Sequence, residues 1–302
     1  MTMAAEHLEP PQFSHVSVML PEVVAAMSQR PQGVFLDVTA GGGGHSAGVL
    51  AALPEARLIA CDRDPLAVRA ATLRLKDFGE RATVLHARFD EVSHVLAELG
   101  LAGVDGLIAD LGVSSPQLDD AERGMSFRVA GPLDMRMDPS RGETAAELIA
   151  RLDQDELADV IYHYGEERRS RRVARCIKQA EQEGALQSTL DLRRAIVRAV
   201  GPQRVGGVDP ATRTFQALRI AVNQELAQLE GLLADAARWV VPGGVAAIIS
   251  FHSLEDRLVK RAFQVRELWS RHHNKPQLAS EAEQAENPRS RSAKLRVATR
   301  VP

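Results

Sequence analysis

The sequence predicts an α/β fold built on a parallel sheet and interrupted by a helical insertion. Three observations carry that expectation. Short β-rich runs alternate with helical stretches from Gly33 to Asp110, only helical periodicity follows over roughly 125–210, and a buried apolar run returns at Val245 to Phe251. Taken in order, the strands are Val34 to Asp37, Arg57 to Cys61, Thr83 to His86 and Val104 to Ala109. Helices lie between them at His45 to Leu53, Pro65 to Lys76 and Glu91 to Leu99. Strands spaced by single helices make βαβ units with right-handed crossovers.

After Asp110 a turn-rich segment carries Gly124, Gly131, Pro132, Pro139 and Gly142. Thr144-Ala-Ala-Glu147 then reads as a capping box, followed by apolar residues at helical spacing, Leu148, Leu152, Leu157, Ile161 and Tyr164. Further helices are expected over Arg168 to Glu183 and from Ser188 to Val200. A long helix from Thr212 to Val240 leads through a Pro242-Gly243-Gly244 turn back to the buried strand. A last helix runs from Ser253 to about Leu268, residues 271–288 read as polar and mobile, and Arg289 to Val297 is basic and strand-like. The parent domain is therefore discontinuous, residues 1–124 and 211–302, around a helical insertion at 125–210.

Composition narrows the class. The chain has 302 residues, 45% of them apolar, which is ample for an extensive core, and a net charge of -3. That balance gives no global attraction to polyanions, so such a partner must meet a local basic patch. Cys61 and Cys176 match no metal-ligand spacing and make no disulfide framework, which points to a reducing, cytoplasmic setting and to no metal. Met1 to Pro11 lacks a basic region followed by an apolar core, and no long uncharged apolar run occurs, so neither export nor a membrane span is expected.

The chemistry concentrates at strand ends. Gly106-Leu-Ile-Ala-Asp110 is an apolar run that stops at a carboxylate and passes into Leu-Gly112-Val-Ser114-Ser115-Pro116-Gln117. Ligands of open α/β sheets sit beyond the carboxyl ends of the strands, where Asp110 would lie. Earlier, Asp37-Val-Thr39-Ala-Gly41-Gly42-Gly43-Gly44-His45 joins the first strand to its helix. Four consecutive glycines cost chain entropy, let a ligand approach the backbone and open a helix N-terminus. Asp62, about 20 residues on at the end of the second strand, stands where a ribose-binding acid belongs. Gly42-x-Gly44-x-x-Ala47 satisfies a relaxed dinucleotide fingerprint, so NAD and S-adenosylmethionine both fit that pattern, and an NAD-dependent oxidoreductase stays open. Two residues favour S-adenosylmethionine: Asp37, suited to an ammonium that NAD lacks, and Phe89, suited to stacking an adenine.

Longer motifs add to this. The glycine loop and Asp110-Leu-Gly-Val-Ser-Ser-Pro-Gln117-Leu-Asp-Asp120 are joined by Arg123-Gly124-Met-Ser126-Phe127, Gly131-Pro-Leu-Asp134-Met-Arg136-Met-Asp138-Pro139 and Tyr164-Gly165-Glu166-Glu167-Arg168. Ala211-Thr-Arg213-Thr-Phe215-Gln216-Ala-Leu-Arg219, Ser250-Phe251-His252-Ser253-Leu-Glu255-Asp256-Arg257 and Asn287-Pro-Arg289-Ser-Arg291 complete the set. In these motifs and their order the chain resembles the ribosomal RNA small subunit methyltransferase H (RsmH, or MraW) family over nearly its full length. The resemblance implies a Rossmann-like methyltransferase sheet and S-adenosylmethionine as cofactor. It also implies N4-methylation of a cytidine in the decoding region of small-subunit ribosomal RNA. By motif position it carries cofactor contacts onto Gly43, Gly44, His45, Asp62, Phe89, Asp110 and Gln117.

The amine of cytosine is a poor nucleophile because its lone pair is delocalised into the ring, so an acceptor on its protons, held in a dry site, is needed. Asp110 and His252 are the candidate catalytic residues. For RNA phosphates there are two basic patches, Arg168, Arg169, Arg171, Arg172, Arg175 and Lys178 on one helical segment and Arg289, Arg291, Lys294 and Arg296 in the tail. The tail reads as the stronger of the two. A non-catalytic ribosome-assembly factor is the alternative of another class, opposed by the intact glycine loop, Asp62 and Asp110.

Overall fold

The computed structural model describes residues 17–202 and 209–302. The stretch Met1 to Pro11, read as lacking a targeting signal, lies outside them. Contacts divide the chain into two compact units: one comprises the described residues up to Asp110 with Ala236–Ser250 and Phe263–Pro302, the other Leu111–Asp235 with Phe251–Ala262.

The first unit holds the sheet. After α1 (Leu20–Met27) the chain alternates as read: β1 (Val34–Asp37), α2 (Gly44–Ala52), β2 (Arg57–Asp62), α3 (Pro65–Leu75), β3 (Ala82–His86), α4 (Val92–Glu98) and β4 (Val104–Asp110). Asp64 caps α3 by accepting the Leu66 N–H, and Pro65 supplies a preset φ at its first turn. β1 pairs in parallel with both β2 and β4, which places β1 centrally and buries Phe35, Leu36, Leu107 and Ile108 completely.

The second unit is helical among its described residues. It contains α5 (Ser115–Asp119), α6 (Ala145–Arg151), α7 (Gln154–Gly165), α8 (Ser170–Gln182), α9 (Thr189–Val200), α10 (Thr212–Asn223) and most of α11 (Glu225–Trp239). The Thr144 capping box is formed, with the Thr144 hydroxyl accepting the Glu147 N–H at 3.2 Å and Glu147 accepting the Thr144 N–H at 2.8 Å. Ser188 caps α9 through the Asp191 N–H. The apolar spacing read from sequence becomes one core, in which Leu148, Leu157, Ile161, Val173, Ile177, Leu192, Ile196 and Phe215 are buried together. Phe127 meets Phe215 edge-on, with ring centroids 4.9 Å apart.

The chain then returns to the first unit as β5 (Val240–Ser250), leaves as α12 (Ser253–Ala262) and ends with β6 (Trp269–Arg271), β7 (Gln277–Leu278), α13 (Glu281–Glu286) and β8 (Lys294–Arg300). The sheet order is β3-β2-β1-β4-β5-β8-β6, with β7 also on β8. β5 runs parallel to β4, as the resumed apolar run requires, whereas β8 is antiparallel to β5 and β6.

Four expectations change. The helix expected over Thr212 to Val240 is two helices, because Gln224 takes a left-handed φ of 50°. Just before it, buried Asn223 donates to the Met135 and Arg219 carbonyls and accepts the Met137 N–H, so tertiary hydrogen bonds end the helix. Pro242-Gly243-Gly244 is no free turn: it lies inside β5, where the register against β4 slips, and Gly243 has a φ of 77°. The last helix stops at Ala262, since Phe263 and Trp269 are both buried and pack with ring centroids 5.2 Å apart. The stretch 271–288, read as mobile, forms β7 and α13. There Ser280 caps α13 through the Glu283 N–H, and Glu283 accepts the Met19 N–H at 2.8 Å.

Candidate active site

The residues assigned to the site divide between the two units. In the first, the carboxyl ends of β1, β2 and β4 present Asp37, Asp62 and Asp110, and the glycine turn opens α2 beside them. Gly41 and Gly43 have φ values of 51° and 76°, conformations that a side chain would strain. Gly44 is small for a different reason, since a Cβ there would collide with the Ser17 hydroxyl. α2 has no side-chain cap, so the N–H groups of its first turn have no partner within the helix.

Asp62 ties this turn to β2. One carboxylate oxygen accepts the Gly41 N–H at 2.8 Å and the other accepts the Asp64 N–H at 2.8 Å. Each oxygen keeps a lone pair for a further donor, and the residue is only half-buried. Burial first, then the nearby Asp64 and Asp37 carboxylates, push its pKa up to about 6, against the lowering effect of the two N–H groups. This arrangement fits a ligand with two adjacent hydroxyls.

Asp37 is held by the loop that follows it. It is almost fully buried, with one oxygen accepting the Ser46 hydroxyl at 2.7 Å and the other the Thr39 N–H at 3.0 Å. Both oxygens thus serve the loop itself, and burial raises its pKa. Asp37 thereby braces the glycine turn. Phe89 follows β3 in a short 3-10 turn and is half-buried, leaving ring surface accessible.

At the end of β4 the Asp110 N–H donates to the Thr39 hydroxyl at 2.6 Å, which links β4 to the loop after β1. The Asp110 carboxylate lies 3.8 Å from His45 Nδ1, while His45 Nε2 is 2.8 Å from the Val18 carbonyl oxygen. With Nε2 donating to Val18, the lone pair of a neutral ring falls on Nδ1; a protonated ring would instead pair with Asp110.

Gln117 and His252 belong to the second unit. Gln117 is buried at the start of α5 and accepts the Ser114 N–H at 3.0 Å. His252 stands at the start of α12, where Nδ1 accepts the Glu255 N–H at 3.4 Å and Nε2 lies 3.1 Å from the Glu255 carboxylate. Nδ1 is thereby engaged by the Glu255 N–H, while Nε2 faces the Glu255 carboxylate without a hydrogen bond. Burial works to raise the Glu255 carboxyl, but His252, the Phe251 N–H and Arg219 hold it below the ordinary value. Glu225, His252 and Glu255 present ligand-type atoms within 4.8 Å of one another. The cluster is an ion-pair network: Arg219 donates to both Glu225 oxygens at 2.8 and 2.9 Å, and a second cation would be repelled there. Sequence reading missed Asn223 and the pairing of Arg219 because their partners are distant in the chain or across a helix break.

The tail loses its expected role as a basic patch. β8 is paired on both edges, its residues Leu295 to Ala298 are consecutively buried, and Arg296 is among them. Lys294 and Arg289 are half-buried, leaving Arg291 alone exposed among the four.

A sheet whose order reverses at β1, with a glycine turn and helix N-terminus at that reversal, defines a Rossmann-like α/β protein. A model of the MraW methylase family matches residues 12–301, and the chain belongs to that family. It is 62% identical over 300 residues to a ribosomal RNA small subunit methyltransferase H of Sorangium cellulosum (strain So ce56), covering 98% of this chain and 95% of that one. A protein of the same name from Synechococcus sp. (strain CC9902) is 53% identical over 296 residues, covering 96% and 99%. Membership of a methylase family removes the oxidoreductase alternative. No helix among the described residues is long and apolar enough to cross a membrane.

Proposed function

We propose that this chain transfers a methyl group from S-adenosylmethionine to N4 of a cytidine in the decoding region of small-subunit ribosomal RNA. We also propose that it acts in the cytoplasm on the assembled subunit, with the helical insertion at 125–210 recognising the substrate. The observation that carries the cofactor part is Asp62, a half-buried carboxylate at the end of β2 with one free lone pair on each oxygen beside the glycine turn. The substrate part is supported by what the relatives are named. Cys61 and Cys176, both free thiols, suit a reducing compartment.

When bound, the cofactor supplies an electrophilic methyl on a sulfonium. Asp62 would hold the ribose hydroxyls, Gly43 and Gly44 would let the ligand approach the first turn of α2, and Phe89 would offer a face to the adenine. Asp110 is the better acceptor for an amino proton: its backbone is fixed by Thr39, whereas the His252 Nδ1 lone pair already accepts the Glu255 N–H. Gln117 holds the start of α5, the helix that follows the Asp110 loop.

Mass-spectrometric mapping of small-subunit ribosomal RNA from cells with and without the gene tests the reading. The expected result is one cytidine that loses a methyl on N4 in the deletion strain and regains it on complementation. An unchanged modification map would sink it. Labelled methyl transfer to free RNA and to assembled subunits identifies the form of substrate.

The raised pKa of Asp62 gives a second expected result with a definite sign. Hydroxyl donors favour the ionised carboxylate, so cofactor affinity should be full above pH about 6 and fall as pH drops through it. The fall should approach tenfold per pH unit. Folding stability moves the opposite way: the fold favours the neutral form, so this group's contribution is fully present below the ordinary value of 3.8 and is lost as pH rises through about 6. Calorimetric titration between about pH 5 and about pH 7, roughly one unit either side of the shifted value of about 6, checks the first trend. An affinity flat across that range would contradict it.

A further inference from the structure

Within the helical unit a cleft of about 690 Å³ is lined by Tyr162, His163, Glu166 and three arginines, Arg168, Arg213 and Arg257. It forms at the corner where α7 ends and α8 begins. Gly165 makes the corner possible, since a Cβ there would lie 2.5 Å from the Arg213 carbonyl oxygen. Tyr162 is 53% exposed, unusually open for an aromatic residue, and is supported edge-on by His163 with ring centroids 5.2 Å apart. Glu166 partly neutralises the cleft, lying 3.6 Å from Arg257 and accepting the Ser253 hydroxyl, while Arg213 sits 4.0 Å from Glu167.

Arg168 has no such partner. Its side chain makes no ion pair or hydrogen bond to a described residue, and neither do those of Arg172 and Arg175, all three being exposed. Their neighbours differ: Arg171 pairs with Asp159, Arg169 donates to the Val200 carbonyl, and Lys178 lies against Glu181. Arg172 and Arg175 are three apart and share a face of α8, and Arg168 lies two residues before its start. This row occupies the wrong end of a helix. The first turn of α8 contains no acid and no side-chain cap but holds Arg171 and Arg172, against the positive pole of the helix dipole. Unpaired cations gathered there, next to an open aromatic ring, match an extended polyanion carrying flat bases.

We propose that this cleft and the arginine row form a docking groove for single-stranded RNA, with one base stacked on Tyr162 and successive phosphates on Arg168, Arg172 and Arg175. The proposal rests on the ribosomal RNA reading for the source of the strand. The groove binds through charge and stacking, the pattern by which single strands are held without base readout.

The test is fluorescence anisotropy of a labelled single-stranded RNA of about 12 nucleotides with the full chain, across a series of salt concentrations. Tyr162→Ala should weaken binding about 5-fold or more, and Tyr162→Phe should restore it. Replacing Arg168, Arg172 and Arg175 together with Gln should lower the slope of log affinity against log salt by about 2, at roughly 0.7 per phosphate contact. All four side chains are exposed, so the fold should survive, and an unchanged thermal unfolding midpoint and circular-dichroism spectrum verify that. A triple variant with wild-type affinity and slope overturns the groove, as does equal binding by Tyr162→Ala. Failure of the functional reading looks different: the wild-type chain would bind the oligonucleotide through these residues yet transfer no methyl to ribosomal RNA.

Discussion

Asp62→Ala should weaken S-adenosylmethionine binding by about 1–3 kcal/mol, which is about a 5- to 150-fold rise in Kd. The loss has two sources. The ribose hydroxyls would lose their charged acceptor, and the Gly41 and Asp64 N–H groups, each 2.8 Å from a carboxylate oxygen, would lose theirs, loosening the turn that opens α2. Asp62→Asn separates them. It keeps one oxygen as an acceptor, so its loss should be smaller, and it removes the titrating group, so affinity should become flat through pH 6, near the shifted value of about 6. Isothermal calorimetry on both variants, with thermal unfolding as a control for the fold, decides the matter. Wild-type affinity in Asp62→Ala would remove the residue from the cofactor site.

Arg219→Met should destabilise the helical unit by about 3–5 kcal/mol, the usual cost of leaving a buried charge without its partner. The Arg219 guanidinium is bidentate to Glu225, with side chains only 14% and 8% exposed. Burial works to lower the Arg219 pKa, but the Glu225 and Glu255 carboxylates raise it above its ordinary value. Without Arg219 those two carboxylates would face each other in a dry corner beside His252. Replacing Arg219 with Met and Glu225 with Leu together should recover most of the loss, because the uncompensated charge goes too. Urea unfolding followed by circular dichroism measures both. A single variant within about 1 kcal/mol of wild type would show that the pair is solvated and carries no weight in the fold.

The candidate site was legible in unequal parts. Asp62 and Asp110 could be found because each ends an apolar run, and a run that stops at an acid marks a strand end whatever the rest of the fold does. The glycines of the turn were legible too, although the reasons differ from one to the next: Gly43 is set by its φ and Gly44 by Ser17. Asp37 shows the limit. Its place at the end of β1 was plain, but only the structure shows both oxygens turned inward to Ser46 and Thr39. His252 likewise stood in a recognisable motif, while its engagement by Glu255 depends on how α12 starts.

By itself the sequence determined what depends on neighbours along the chain: the alternation of β1 to β4 with their helices, the capping box at Thr144, the helix start at Ser188, the helices α6 to α9, and the return of a buried strand. These follow from hydrophobic period and local hydrogen bonding, which act over a few residues. The tertiary structure alone decided where distant segments meet. The tail is charged enough to read as a free basic patch, yet pairing with β5 and β6 places Leu295 to Ala298 inside the sheet and buries Arg296 with them. The helix over 212–240 is continuous by period, yet the hydrogen bonds of Asn223 to Met135 and Met137, nearly ninety positions away, break it at Gln224. Local propensity is worth tenths of a kcal/mol per residue, and a buried hydrogen-bond network or a paired strand outweighs it.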